Sequence, residues 1–388
     1  MLENFLSTKS QSYDEETISI LRLIRSENIG PITFFHLIKL FGNASKALLH
    51  LPDFARRGGK KNPLAIYSRQ QAESEIELIN KSNAKLITYL NPDYSKILRQ
   101  ITDPPPVLIC KGRTELMRQN VVAVVGARNA SSNGLAMASK LAKELMQCGY
   151  YCASGLARGI DAAVHKADTA RTIALLAGDI NHIYPQENTQ LYHRIAQDGL
   201  LISESPIGTV VQPNHFSRRN RLISGISLGT VVIEASLKSG SLITARTTLE
   251  QNRELFVVPG FPMDPRYHGS NKLLKNGAHL VENINDITEQ LTPPLLHAMM
   301  VEDRLNSFKD REIDFENIQA AVTDDARRKV MELLTYSETE LEHIIAMAEL
   351  DISVVCVILL ELELAGKISR TNGKICLTQC AQLELQIA

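Results

Sequence analysis

The 388-residue chain has no tryptophan and only 5% aromatic residues, so most of any core must be aliphatic. It has no surplus of either charge: the formal net charge is −1, which removes the global electrostatic case for a polyanion or a membrane surface. Any attraction for phosphate must then be local. There is no run of 18 apolar residues, and the opening MLENFLSTKS lacks the basic start and apolar stretch of a signal peptide. A cytoplasmic protein with no membrane partner is expected. The six cysteines form no C-x-x-C pair and sit mostly in apolar stretches, which predicts buried thiols rather than disulfides or zinc ligands. Repeats and low-complexity tracts are absent too. What the chain does have is 44% hydrophobic and 22% charged residues, ordinary material for two or three globular domains.

Four regions follow from the patterning. Residues 1–84 read as a small helical domain: Asp14 is placed to cap EETISILRLIRSE, and NIGPITFFHLIKLFGN gives a Gly30-Pro31 turn. That turn leads into a helix with Phe34, Leu37, Ile38 and Phe41 inward and a stop at Gly42-Asn43. Helix, glycine turn, helix fits either a DNA-backbone hairpin or a packing module, and the scarcity of basic residues near the turn favours packing. RRGGKKNP (56–63) reads as a loop or exposed tether. Within 85–291, strands are expected at Leu86–Leu90 and Val107–Cys110, and from Val121 onward strands alternate with helices. VVAVVG, YYCASG, TIALLAG, LLISE, GTVVIEA and ELFVVPG are short apolar runs, as parallel strands buried on both faces require. The fold class is therefore α/β with a doubly wound sheet, whose ligands bind beyond the carboxyl ends of the strands. Residues 292–322 lose this rhythm and read as a linker. Residues 323–388 predict three helices, the second opened by a Ser337/Glu340 capping box, and a hairpin turning at Asn372-Gly373. That is a winged helix.

Chemistry concentrates in HFSRRNRLISGISLGTVVIEASLKSGSLITAR (215–246). From Phe216 to Lys275 there are nine basic and four acidic residues, a local excess in a neutral chain. Arg218, Arg219 and Arg221 crowd what reads as a loop before a buried strand. Ser239-Gly240-Ser241 exposes successive backbone N–H groups at a helix start, a nest suited to phosphate, flanked by Lys238 and Arg246. After the first parallel strand, VVGARNASSNG puts Arg128 where G-x-G-x-x-G would leave bare backbone, so no dinucleotide cofactor is expected. The helix start at Ser131-Ser132 could still hold one phosphate beside Arg128; the alternative is an Arg128–carboxylate pair. Asp161 and His165, four apart on a helix, suit a metal or acid–base work, but with no third ligand a satisfied pair orienting the loop is the better reading.

These motifs together, with NPDYSKILRQITDPPPVLICKG, SGLARGIDAAVHKAD, IYPQENTQLYHRI and VVPG, resemble the DNA-processing protein A (DprA/Smf) family over nearly the whole chain. The resemblance implies an extended Rossmann-like sheet with an N-terminal SAM or helix-hairpin-helix-like domain and a C-terminal winged helix. It implies binding of single-stranded DNA, homodimerisation and handover of the strand to a RecA-type recombinase in natural transformation, with no cofactor and no catalysis. By the same resemblance Arg128 contacts phosphate and Phe216 stacks on a base. Arg218, Arg219, Arg221 and Lys238 form the positive pocket, and Ser239, Gly240 and Ser241 its nest; Arg246 is added as a neighbouring cation. Two departures stand out: Ser95 replaces a common proline, and QPNHF lacks a lysine often found before the aromatic.

The winged helix carries eleven acidic and six basic residues over 324–388, and its third helix has Asp351, Glu361 and Glu363 but no Lys or Arg. Duplex DNA would be repelled from such a helix, so a protein-interaction or regulatory role is expected. A rival reading remains. GTVVIEA resembles the G-T-x-x-E element of Rossmann-like nucleotide phosphoribohydrolases, in which Glu234 would stabilise an oxocarbenium-like centre, though Ser227-Leu228 replaces the glycine pair expected there.

Overall fold

The computed structural model describes residues 13–291, 318, 320–371 and 374–378, and Asp14 opens its first helix as predicted. Its carboxylate accepts the Thr17 N–H (2.8 Å) at the start of α1 (Glu15–Arg25). Helix α2 (Pro31–Phe41) follows with proline in its first turn; Phe34 and Leu37 are fully buried and Ile38 half-buried. Gly42 ends it at a φ of 84°, and Asn43 caps α3 (Ala44–Arg57). Helix α4 (Arg69–Lys81) completes the N-terminal set.

The sheet comprises β1 (Lys85–Thr88), β2 (Val107–Gly112), β3 (Val121–Val125), β4 (Tyr151–Ser154), β5 (Thr172–Leu175), β6 (Leu200–Ser203), β7 (Gly229–Val232), β8 (Glu254–Val257) and β9 (His279–Leu280). Their spatial order is β1-β2-β6-β5-β4-β3-β7-β8-β9. All pairings from β6 to β9 are parallel, and β1 and β2 extend the sheet antiparallel. From β3 the chain winds outward to β6, then returns to lay β7 on the other side of β3. That reversal is the switch point at which open α/β sheets make their ligand crevice.

Side chains two apart along β3 separate the two cores. Val121, Ala123 and Val125 pack on one face with Leu222, Ile223 and Ala245; Val122 and Val124 pack on the other with Leu141, Leu145 and Val164. The covering helices are α5 (Ser132–Gln147), α6 (Ile160–Ala167), α7 (Thr189–Asp198), α8 (Pro213–Gly225), α9 (Ser241–Glu250), α10 (His268–Lys275) and the short α11 (Asn285–Thr288). Ser95 replaces the expected proline without strain, because its hydroxyl accepts the Leu98 N–H (3.2 Å) and starts a 3-10 turn.

The C-terminal elements are α12 (Asp324–Leu333), β10 (Thr339–Glu340), α13 (Leu341–Ala348), α14 (Ile352–Leu364), β11 (Ile368–Thr371) and β12 (Lys374–Leu377). This is the predicted winged helix. The Ser337/Glu340 capping box does not form. Thr339 and Glu340 instead pair with Ile375 and Lys374, and that ladder claims the backbone a cap would use. The turn residues Asn372 and Gly373 lie outside the described residues, as do 292–317 of the linker.

The two ends of the chain, read above as separate domains, gather into one compact unit: residues 13–73 with the C-terminal elements, apart from the sheet. Gly58 shows how closely. A Cβ there would lie 2.0 Å from the Glu361 carbonyl oxygen, so only glycine lets α3 end against α14. Asn28 also donates to the Leu364 carbonyl (3.1 Å). RRGGKKNP is therefore no tether: Arg56 and Arg57 finish α3, and Gly58 is a packing contact. The carboxylates of α14 face inward rather than toward a duplex. Glu361 is buried and accepts from Arg327 (2.8 Å), and Glu363 lies near Arg370 (3.9 Å). Helix α14 is unsuited to the major groove because it is covered, more than because it is acidic.

Candidate nucleic-acid interface

A cleft of about 520 Å³ opens at the switch point, beyond the carboxyl ends of β3, β4 and β7. The loop after β3 supplies Arg128, the turn after β4 supplies Ala157, the start of α6 supplies Asp161, the loop after β7 supplies Lys238 to Ser241, and α8 forms a wall. Residues 215–221 are helical, not the loop that the arginine run suggested. Their sides follow from helical spacing: Phe216, Arg219, Asn220 and Ile223 recur at i, i+3, i+4 and i+7 and line the cleft. Arg218 and Arg221 point to the other side.

At the mouth, the Arg128 guanidinium lies over the Phe216 ring, 5.2 Å from its centroid. Among the described residues Arg128 makes no carboxylate pair, so its charge stays directed at the cleft. Phe216 is half-buried, and Tyr184 meets it edge-on at 5.7 Å while remaining 49% exposed. The aromatic pair thus keeps accessible ring surface at the cleft mouth beside the Arg128 charge. Tyr184 was not singled out from the sequence. The signal available was an aromatic in IYPQEN, in the connection between β5 and α7.

Across the cleft, Lys238 is exposed and meets no carboxylate among the described residues. Ser239 and Ser241 share a hydroxyl hydrogen bond (2.7 Å), Asn220 donates to the Gly240 carbonyl (3.2 Å), and the Gly240 N–H meets no acceptor among the described residues. Of the three N–H groups of the expected nest, that of Ser239 already donates to the Ser236 carbonyl (3.0 Å) and that of Ser241 to the Ser239 hydroxyl (3.4 Å), so Gly240 alone keeps a donor to spare at the start of α9. Arg266 reaches the same cleft, although it ion-pairs with Asp264 at 2.6 Å.

The other arginines are engaged elsewhere. Arg219 is 7% exposed at the cleft floor, where it donates to the Gly155 carbonyl (2.8 Å) and to that of Leu175, tying the ends of two strands. Burial pulls its pKa down to about 10, partly opposed by the Asp161 charge. Arg221 is buried between Glu204 (2.6 Å) and Asp103 (3.1 Å), and exposed Arg218 also pairs with Glu204 (3.3 Å). Arg246 pairs with Glu250 along α9 at 3.4 Å. None of these last three lines the cleft. The cationic surface there is Arg128, Lys238 and Arg266, above buried Arg219.

Two expected phosphate or catalytic positions are filled by the protein itself. Glu234 is fully buried: it accepts the Ser131 N–H (2.9 Å), the Ser131 hydroxyl and the Tyr267 hydroxyl (2.7 Å). Its carboxylate occupies the start of α5, where a phosphate would otherwise sit, and a Cβ on Gly134 would lie 2.5 Å from it. Asp161 accepts the Gly155 and Ala157 N–H groups and so orients the loop after β4. His165 is not its partner; its Nδ1 meets the Thr172 hydroxyl at 2.6 Å. Burial lowers the His165 pKa to about 3. Of the cysteines, Cys110 and Cys152 are buried as predicted, but Cys148 is exposed.

Family comparison agrees with this architecture. The family model for DNA recombination-mediator protein A matches residues 85–292, a DprA-like N-terminal HHH domain matches 14–77, and a DprA winged helix domain matches 318–374. The chain belongs to the DprA/Smf family. DNA processing protein DprA of Bacillus subtilis is 44% identical over 198 residues, covering 50% of this chain and 67% of that one. Protein Smf of Escherichia coli is 34% identical over 316 residues, 79% of this chain and 81% of its own. Among solved DprA structures, that of Streptococcus pneumoniae shares 29% identity and a TM-score of 0.61, covering 73% of this chain and all of its own. The Helicobacter pylori protein, whose structure concerns a single-stranded DNA binding mode, shares 31% identity and a TM-score of 0.50 over 55% of this chain and 97% of its own. Among the described residues no helix is long and apolar enough to cross a membrane.

Proposed function

We propose that this chain binds single-stranded DNA at the switch-point cleft and delivers it to a RecA-type recombinase, as a homodimeric, cytoplasmic mediator of natural transformation. The observation that carries the reading is the Arg128–Phe216 pair at the cleft mouth, facing Lys238 and the Ser239–Ser241 nest. An open ring beside unpaired cations is how sequence-tolerant single-strand binders hold a base and its phosphate. Duplex DNA offers no free base face to Phe216. The binding reported for the H. pylori relative, and family membership, support carrying this activity to the present chain.

The protein acts here by binding, without catalysis. The phosphoribohydrolase reading needs Glu234 beside a substrate, whereas this carboxylate is covered and already accepts three donors. With Arg128 and Lys238 each meeting a phosphate, the logarithm of affinity should fall against the logarithm of salt with a slope of about −1.4. Gel shifts with oligo-dT and with blunt duplex of equal length test the proposal. Salt-sensitive binding of the single strand, lost in Arg128→Ala, is expected; equal affinity for the duplex would overturn it.

A further inference from the structure

The loop joining β8 to α10 is braced along its length, yet two of its apolar side chains point into solvent. Asn271 clamps Gly260 through both its N–H (3.2 Å) and its carbonyl (3.0 Å). His268 Nε2 meets the Pro262 carbonyl (3.0 Å), and the Asp264 N–H closes a turn onto Phe261 (3.0 Å). Tyr267 anchors the far end on Glu234. On this rigid frame Phe261 is 68% and Met263 79% exposed. A loop fixed this firmly could have turned such side chains inward, and leaving them out favours contact with something else.

Its position identifies that contact. The N–H groups of Gly269 and Ser270 both donate to the Ala235 carbonyl (2.8 and 3.0 Å), which fastens the end of the loop to the segment leading into Leu237 and Lys238. Arg266 extends from the same loop into the cleft beside Lys238. Asp264 engages its Nε and Nη2, but its Nη1 meets no acceptor among the described residues. The edge of the cleft therefore continues past the Arg266–Asp264 pair, with one Arg266 amino group left unengaged, toward an exposed aromatic.

We propose that Phe261, flanked by Met263, is a second stacking position for the DNA strand, reached through a phosphate held by Arg266. This rests on the single-strand reading above. It gives the cleft an aromatic at each end, Phe216 and Phe261, with Lys238, the nest and Arg266 between them. The occupant is polynucleotide rather than protein because the ledge continues the cleft that holds Lys238 and Arg266, and Arg266 keeps a donor beyond its pair with Asp264.

The absence of tryptophan from the sequence makes the test direct, since Phe261→Trp and Phe216→Trp each give a protein with one reporter. Oligo-dT of increasing length, up to dT12, is titrated while tryptophan emission and the anisotropy of labelled DNA are followed. Phe216→Trp emission should be quenched by shorter oligomers than are needed for Phe261→Trp, with both quenched by dT12. Phe261→Ala should weaken dT12 binding roughly fivefold or more, as removal of one stacked base does. If saturating dT12 leaves Phe261→Trp emission unmoved while quenching Phe216→Trp, the second position is refuted and the cleft reading stands. A change in solution mass caused by Phe261→Ala alone would also overturn it, by assigning the ledge to a second copy of the chain. Failure of the native protein to bind dT12 would remove both.

Discussion

The Arg128 guanidinium rests 5.2 Å above the centroid of Phe216, and the two residues come from different crossovers of the sheet. The loop after β3 carries one and α8 the other, so their meeting is a product of the fold. Together they offer a charge and a π-face to one nucleotide.

Phe216→Ala should therefore weaken single-strand binding by about 1–3 kcal/mol, the usual worth of one stacked base. Phe216→Tyr should retain most of the affinity, because the ring is what stacks. Anisotropy titrations at fixed salt check both variants.

Arg219 and Lys238 line the same cleft but should fail differently. Arg219→Ala leaves two carbonyls and the Asp161 carboxylate uncompensated in a buried place, at a cost of about 3–5 kcal/mol of folding free energy. Lys238→Ala removes an exposed charge and should alter stability by less than about 0.5 kcal/mol. Its salt slope for single-strand binding should nevertheless flatten by about 0.7. Urea unfolding and salt-dependent binding, measured on both proteins, separate the two effects.

Glu234→Gln should destabilise the sheet unit by about 1–3 kcal/mol, since an amide NH2 would face donors at the start of α5. Nucleoside monophosphates incubated with the native protein should stay intact by chromatography. Release of free base that Glu234→Gln abolishes would restore the enzymatic alternative.

His165 sets a pH dependence whose sign is fixed by its burial. Its folded pKa is about 3 against an ordinary 6.5, so the unfolded chain takes up the proton first. Stability is fully present above about pH 6.5 and is lost as pH falls from there toward 3. Urea midpoints between pH 7 and pH 4.5 should decline less steeply in His165→Gln than in the native protein.

Much of this was legible from periodicity. The apolar runs marked β3 to β8, and Asp14, Gly42 and Asn43 marked helix ends, because local backbone chemistry decides such features. The arginine cluster misled for a physical reason. Read as a loop, Arg218, Arg219 and Arg221 share one charge cloud; wound into a helix they diverge, and Phe216 aligns with Arg219 instead. Pro213 near the start of that run was the available sign of a helix. The partners that claim Arg221 and Arg218, Asp103 from the loop before β2 and Glu204 just past β6, lie far off in sequence or in another element, and no local pattern announces them. The same holds for Glu234 at the start of α5.

The contact of Gly58 with Glu361 has a consequence for biosynthesis. Asn28 and Leu364, bonded in the same unit, are 336 residues apart. At ordinary elongation rates of about 5–20 residues per second, the first helices leave the ribosome roughly 20–70 s before the one that covers them. The strands from Val121 to Val257 can assemble while translation continues. The helices at the amino end can pack on one another early, but the face at Gly58 and Asn28 is covered only once α14 has emerged.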